Sequence, residues 1–236
     1  MGELSDTADR LVWAAEELLI SGGEEATSLR AVARTARANA AAVHYHFGGR
    51  ERLLCAVLER HLAPLAARRL TLLDRVRAQH PDPVAVPATL TALLRADVES
   101  LAKLRRHRVE LARLIGRAYA APTPPVAELL SRQEEQLMAR LLPLLRPALP
   151  ELGEAELRIR LRLVRVIVAA LFATAPDAAG PAPLGTDDSG EQVRRLVAFC
   201  APGLSGPPVP LGVPAAGKVG KAQRKSRKRP SLGSPA

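Results

Sequence analysis

At 236 residues, with 47% apolar side chains but only 3% aromatic ones, the chain can bury a sizeable core, and that core must be built from Leu, Val and Ala, a composition suited to helices packed on helices. The net charge of +10 is concentrated at one end: seven basic residues stand between Lys218 and Arg229 with no acid among them, so the basicity describes a tail and does not by itself make the body a nucleic-acid binder. There is no run of about 18 apolar residues to span a membrane, no apolar core in MGELSDTADR to act as a signal peptide, and no metal-ligand or disulfide spacing in the distant pair Cys55 and Cys200.

In chain order, residues 6–21 predict a helix capped by Asp6 or Thr7, with Leu11, Ala15, Leu18 and Leu19 as its inward stripe and Gly22-Gly23 as its stop. Thr27 or Ser28 caps a short second helix that turns Leu29, Val32 and Ala33 inward. After a tight connection at Ala36–Ala38, Asn39 caps a third helix that ends at Phe47 before Gly48-Gly49. Two short helices joined by a turn of this length form a helix-turn-helix unit, whose second helix enters the DNA major groove.

Longer helices are expected at 50–79, 85–105, 107–121, 124–147, 154–175 and 189–201, punctuated by prolines, with kinks near Pro64, Pro143 and Pro147. LRIRLRLVRV (157–166) alternates apolar and basic residues like a strand, but its apolar pattern runs on to Phe172 and Glu154 and Glu156 suit a first helical turn, so a helix is expected. On that helix Arg158, Arg162 and Arg165 share a polar face. Arg160 falls opposite, where Glu156 is its nearest partner. A helix apolar over most of its circumference must be covered on two sides, the second side by another copy of the chain. From 202 to 236 the chain is rich in Pro, Gly, Ser and Lys/Arg, and disorder is expected.

Within the third helix, Ala40, Val43 and Phe47 form the expected inward stripe, leaving Ala41, Ala42, Tyr45 and His46 outward and His44 at the flank. Outward alanines raise helix propensity. They also let a helix sit deep in a groove, where a methyl can meet the thymine methyl. A tyrosine hydroxyl and an imidazole N–H at the helix end are donors to phosphate. His44 and His46 diverge by about 200° on a helix, which argues against a shared metal. No nucleophile–base constellation accompanies them. The expectation is a protein without metal, cofactor or catalytic centre.

Residues 6–66 resemble the DNA-binding domain of the TetR family of bacterial transcriptional regulators, through TSLRAVARTA (27–36), AAVHYHFGGRERLL (41–54) and the helix and glycine turn before them. The resemblance implies an all-α fold: a three-helix helix-turn-helix domain (6–66, motif about 29–48), a larger helical effector-binding and dimerisation domain (67–201), and the basic tail (202–236). The expected DNA-contacting set is Ser28, Arg30, Arg37, Asn39, Ala40, Ala41, His44, Tyr45, His46 and Arg50. Arg30 would reach a base edge or a phosphate, Asn39, Ala40 and Ala41 would begin the reading helix, and Tyr45, His46 and Arg50 would hold phosphate. Arg37 stands where the family has a turn glycine, and His44 where tyrosine is usual.

The function so implied is a cytoplasmic, nucleoid-bound regulator, a homodimer through 154–175 and 189–201, released from a palindromic operator by a small-molecule effector. The alternative is an effector-independent DNA-binding or architectural protein that uses the basic tail. Tyr119, Phe172 and Phe199 are the only Phe, Tyr or Trp residues after 50, so a Leu/Val/Ala-lined cavity for an apolar effector is expected rather than an aromatic cage. The charges of LRRHRVELARL (104–114) either grip a ligand or form a solvated face.

Overall fold

The computed structural model describes residues 2–80, 83–176 and 183–208, and among these it is all-helical. Helix α1 (Gly2–Ala26) buries Leu11, Ala14, Ala15 and Leu19, and its helical geometry breaks at Gly23 (φ 70°) before one further turn. Ser28 caps α2 (Leu29–Thr35) by accepting from the Ala31 amide at 3.3 Å. Asn39 caps α3 (Ala40–Phe47) by accepting from the Ala41 amide at 3.0 Å. Each cap satisfies an amide that the first helical turn leaves without a partner. Gly48 ends α3 in the left-handed region at φ 70°, which glycine enters without steric cost.

The helices that follow are α4 (Arg50–Gln79), α5 (Val86–His107), α6 (Val109–Ala120), α7 (Pro124–Leu145), α8 (Glu154–Ala173) and α9 (Ser189–Ser205). Pro87, Pro124 and Pro125 occupy first-turn positions of α5 and α7, where a missing N–H costs nothing. One contiguous apolar cluster runs from Leu11 to Leu204, so α1–α3 and the longer helices share a core. The most extensive pairings are α6 with α8 and α5 with α9. Helices α6 and α8 approach so closely at Gly116 that a Cβ there would overlap the Ala173 backbone.

Three expectations are corrected. Helix α9 runs through Pro202 to Ser205, past the expected end at 201. Arg160 on α8 holds that extension, donating to the carbonyls of Leu204 (3.0 Å), Gly206 (2.5 Å) and Pro207 (2.7 Å) while its Nε donates to Glu156 at 2.8 Å. The expected partner of Arg160 is therefore present, and it is one of several; the rest of the 202–236 tail, from 209 onward, lies outside the described residues. Second, Ala40 is exposed, not inward, because it opens its helix, and Ala42 is half-buried in its place; Val43 is fully buried and Phe47 partly so. Third, 104–114 is not one solvated face: Arg106, His107 and Arg108 are exposed, but Arg105 is buried and Arg113 half-buried. Arg105 donates to the Pro176 carbonyl and Asp187, Arg113 to the Ala175 carbonyl and Glu110, and Arg108 to Glu16 on α1.

Candidate nucleic-acid interface and the cavity behind it

Helices α2 and α3 turn Val32, Ala33 and Val43 into the core, and this fixes what they leave outside. Ser28, Arg30, Arg37, Asn39, Ala40, Ala41, His44 and Tyr45 are all exposed. Tyr45 keeps 76% of its surface in solvent, an unusual position for a large aromatic residue. Its ring meets the half-buried His46 edge-on, with centroids 5.2 Å apart, and His46 in turn lies 6.3 Å from the Phe47 ring. The partly buried Phe47 thus anchors a row of rings whose polar end is free. Two groups at the start of these helices are already engaged: the Ser28 hydroxyl oxygen and Asn39 Oδ1 both accept backbone amides. The Ser28 O–H and the Asn39 amide nitrogen are the donors left to face outward.

Arg37 carries the turn between α2 and α3 at φ 52°. A non-glycine residue pays a steric cost there. Arginine here holds the left-handed conformation that glycine enters without steric cost. Arg50 is more constrained than its assignment to phosphate implied. Its Nη2 donates to the Glu24 carbonyl at 2.6 Å and to Thr27 Oγ1 at 3.2 Å, and its Nε to the Thr27 carbonyl at 3.2 Å. These bonds satisfy the frayed end of α1 and tie it to the start of α4. A positioning role for Arg50 is thereby visible in the fold, and only Nη1 has no protein partner among the described residues.

Behind this surface the structure contains charged groups that the sequence reading passed over. Arg69 on α4 and Asp97 on α5 are 4% and 3% exposed and form a two-pronged ion pair, with Nε 3.3 Å from Oδ2 and Nη2 on Oδ1. The Asp97 carboxylate and the Tyr119 hydroxyl hold the Arg69 guanidinium protonated despite its burial. Arg69 Nη1 reaches Tyr119 Oη at 3.5 Å, the outer limit of a hydrogen bond. The pair lines a small pocket of about 10 Å³, room for one water, with Leu93, Leu94, Val164 and Val168. A signal for it existed in the sequence. Arg69 sits between Leu65 and Leu72–Leu73, and Asp97 between Leu93–Leu94 and Leu101, so each charge falls on the inward stripe of its helix.

Both cysteines are thiols, with burial pushing the pKa of each above the usual thiol value. Among the described residues no group of His, Cys, Asp and Glu is arranged to hold a metal ion, and no helix is long and apolar enough to cross a membrane.

Residues 11–57 match the family model for bacterial regulatory proteins of the tetR family, and residues 91–203 match that for the tetracyclin repressor-like C-terminal domain; together they cover well over half of the chain. No curated protein matches the chain by sequence. Several solved structures share its fold. The TetR family transcriptional regulator PfmR from Thermus thermophilus is 20% identical, with 84% of this chain and 98% of that one covered at a TM-score of 0.55. A transcriptional regulator from Rhodococcus sp. Rha1 is 22% identical over 85% and 99% of the two chains, at 0.54. The ketosteroid transcriptional regulator KstR2 of Mycobacterium tuberculosis is 18% identical over 81% and 93%, at 0.52. At these identities the likeness is one of fold.

Proposed function

The chain belongs to the TetR family of bacterial regulatory proteins, and from that premise we propose that it is a dimeric repressor that reads a palindromic operator with α3 and leaves it when a small molecule occupies the helical body. The observation that carries the reading is Tyr45, standing in solvent at the end of a helix whose other face is buried through Val43. A phenol and an imidazole at that position pin a helix to phosphate, while the small side chains of Ala40 and Ala41 let its start approach the base edges. Asn39 supplies an amide donor there, and Arg30, Arg37, Ser28 and His44 flank it as phosphate or base-edge contacts. With so few long polar groups on α3, discrimination leans on methyl contacts and DNA shape.

Dimerisation is supported by α8. Its inner stripe (Leu157, Leu161, Val164, Val168) is buried, while Ile159 (49%), Leu163 (59%) and Val166 (57%) are exposed along the opposite side, with Phe199 of α9 at 73%. Exposed apolar side chains at helical spacing fit an isologous interface. Release is supported by α6, which packs on α8 through Gly116 and is tied to α1 by Arg108–Glu16 and Arg117–Glu24. An effector that binds one setting of α6 more tightly shifts the reading heads with it. The protein then works in the bacterial cytoplasm, on the nucleoid when bound.

Selection of bound sites from random duplex DNA tests the reading. The expected outcome is a palindrome with half-sites about one helical turn (~34 Å) or slightly more apart. Enrichment of a single unpaired half-site, or of no sequence, would remove the dimeric reader.

A further inference from the structure

Tyr119, Arg165 and Ala169 line two spaces at once: the small pocket beside Arg69 and Asp97, and an open cleft of about 410 Å³ between α6, α7 and α8. They stand between interior and solvent. Arg165 lies over the Tyr119 ring, with its Cζ 5.3 Å from the centroid, and its Nη1 is 3.0 Å from Glu134 on α7. The Arg165 side chain is only 17% exposed, so it is folded down as a cover. On the inner side the floor is aliphatic, with Leu93, Leu94, Val164 and Val168. On the outer side Arg162 is exposed, with no carboxylate paired to it among the described residues, so two guanidiniums face the single carboxylate of Glu134 in the cleft.

We propose that Tyr119 and Arg165 form a door between the cleft and the buried pocket, and that the cleft takes an amphipathic anion, its carboxylate on Arg165 and Arg162, its apolar body along Pro122, Leu130 and Ala169, and only its end reaching the water-sized pocket behind the door. This rests on the effector-responsive reading and names the effector's chemistry. The charge balance decides the class. A cation would add to two guanidiniums and find one ring. A purely apolar molecule would have to part Arg165 from Tyr119 and offer the guanidinium nothing in exchange. A carboxylate replaces the contact it breaks with a charge-assisted, two-pronged one. It therefore binds the open arrangement better than the closed one, which is what a ligand needs in order to shift the two. The deep Arg69 is a poorer seat for the anion, because Asp97 neutralises it with no second guanidinium alongside, whereas Arg162 stands beside the Arg165–Glu134 pair; Arg69 Nη1 instead takes a water or a neutral acceptor on the ligand body.

Calorimetric titration of the full chain with octanoate, octan-1-ol and octyltrimethylammonium tests the proposal. Octanoate is expected to bind roughly ten-fold tighter than octan-1-ol, the worth of one charge-assisted contact, with no binding of the cation. Arg165→Gln should abolish the advantage of octanoate by weakening octanoate, while octan-1-ol, which no longer has to displace the guanidinium from the Tyr119 ring, binds at least as tightly as before. Ala169→Val, which adds two carbons to the wall between the two spaces, should weaken both. Equal binding of the three probes, none at all, or an octanoate preference that survives Arg165→Gln would overturn it. Affinity for the selected operator, measured with and without octanoate, separates the two readings. Octanoate that binds as expected but leaves operator affinity unchanged strikes the release mechanism and spares the site; loss of the octanoate preference strikes the site and spares the reading head.

Discussion

Arg108, at the break between α5 and α6, donates to the carboxylate of Glu16 on α1, which is 5% exposed. His61 of α4 approaches the same oxygen at 3.2 Å. One buried acid thus gathers three elements: α1, which carries it, the long α4, and the break between α5 and α6. Removing Arg108 leaves the acid without its charged donor. Arg108→Ala should lower unfolding stability by about 1–3 kcal/mol, the worth of a hydrogen bond to a charged group. In a double-mutant cycle with Glu16→Gln the two losses should not add. Additive losses in urea unfolding would show that the two side chains act independently.

Gly116 sets the distance between α6 and α8, because a Cβ there would overlap the backbone nitrogen and Cα of Ala173. Gly116→Ala should destabilise by about 1–3 kcal/mol or more through overpacking. The obstruction is mainly backbone, so adding Ala173→Gly should not rescue it. Recovery of the wild-type melting temperature in the double variant would contradict this account of the helix pair.

Arg37 holds a left-handed turn with an exposed guanidinium, and its conformation and charge can be tested together. Arg37→Gly removes a steric cost of about 1–2 kcal/mol, partly offset by glycine's greater freedom when unfolded. The variant should be at least as stable as the wild type. It should also bind DNA more weakly, with the slope of log affinity against log salt shallower by about 1, as for one lost phosphate contact. Unchanged affinity and slope would assign Arg37 to the turn alone.

Leu163 and Phe199 are exposed on α8 and α9, so a charge placed at either costs the single chain little. Leu163→Glu should sediment as a monomer, with far-ultraviolet circular dichroism unchanged, and should lose operator affinity. A dimer of undiminished stability would move the interface elsewhere.

Much of this was legible because it is local. Asn39, Ser28, Gly23 and Gly48 act through the backbone of their own or adjacent residues, so helix ends could be read from them directly. The alternating stretch from Leu157 could be read as helix because its first-turn acids, Glu154 and Glu156, and Phe172 lie within the same element. What escaped depends on distant partners. Pro202 looked like a stop, yet Arg160 of α8 binds the carbonyls beyond it. Arg69 finds Asp97 on the next helix, and Arg108 finds Glu16 on α1, far away in the sequence. Arg50 carries the family's basic position, but only the fold reveals that it donates to the carbonyls of Glu24, in the last turn of α1, and Thr27 just after it.

The most direct test is the affinity of wild type and of the Tyr45→Phe/His46→Ala variant for the selected operator and for unrelated duplexes at one salt concentration. If the far end of α3 is pinned to phosphate, the variant loses about 1–3 kcal/mol on every duplex and keeps its preference among them. Undiminished affinity, or a loss confined to the operator, would contradict it.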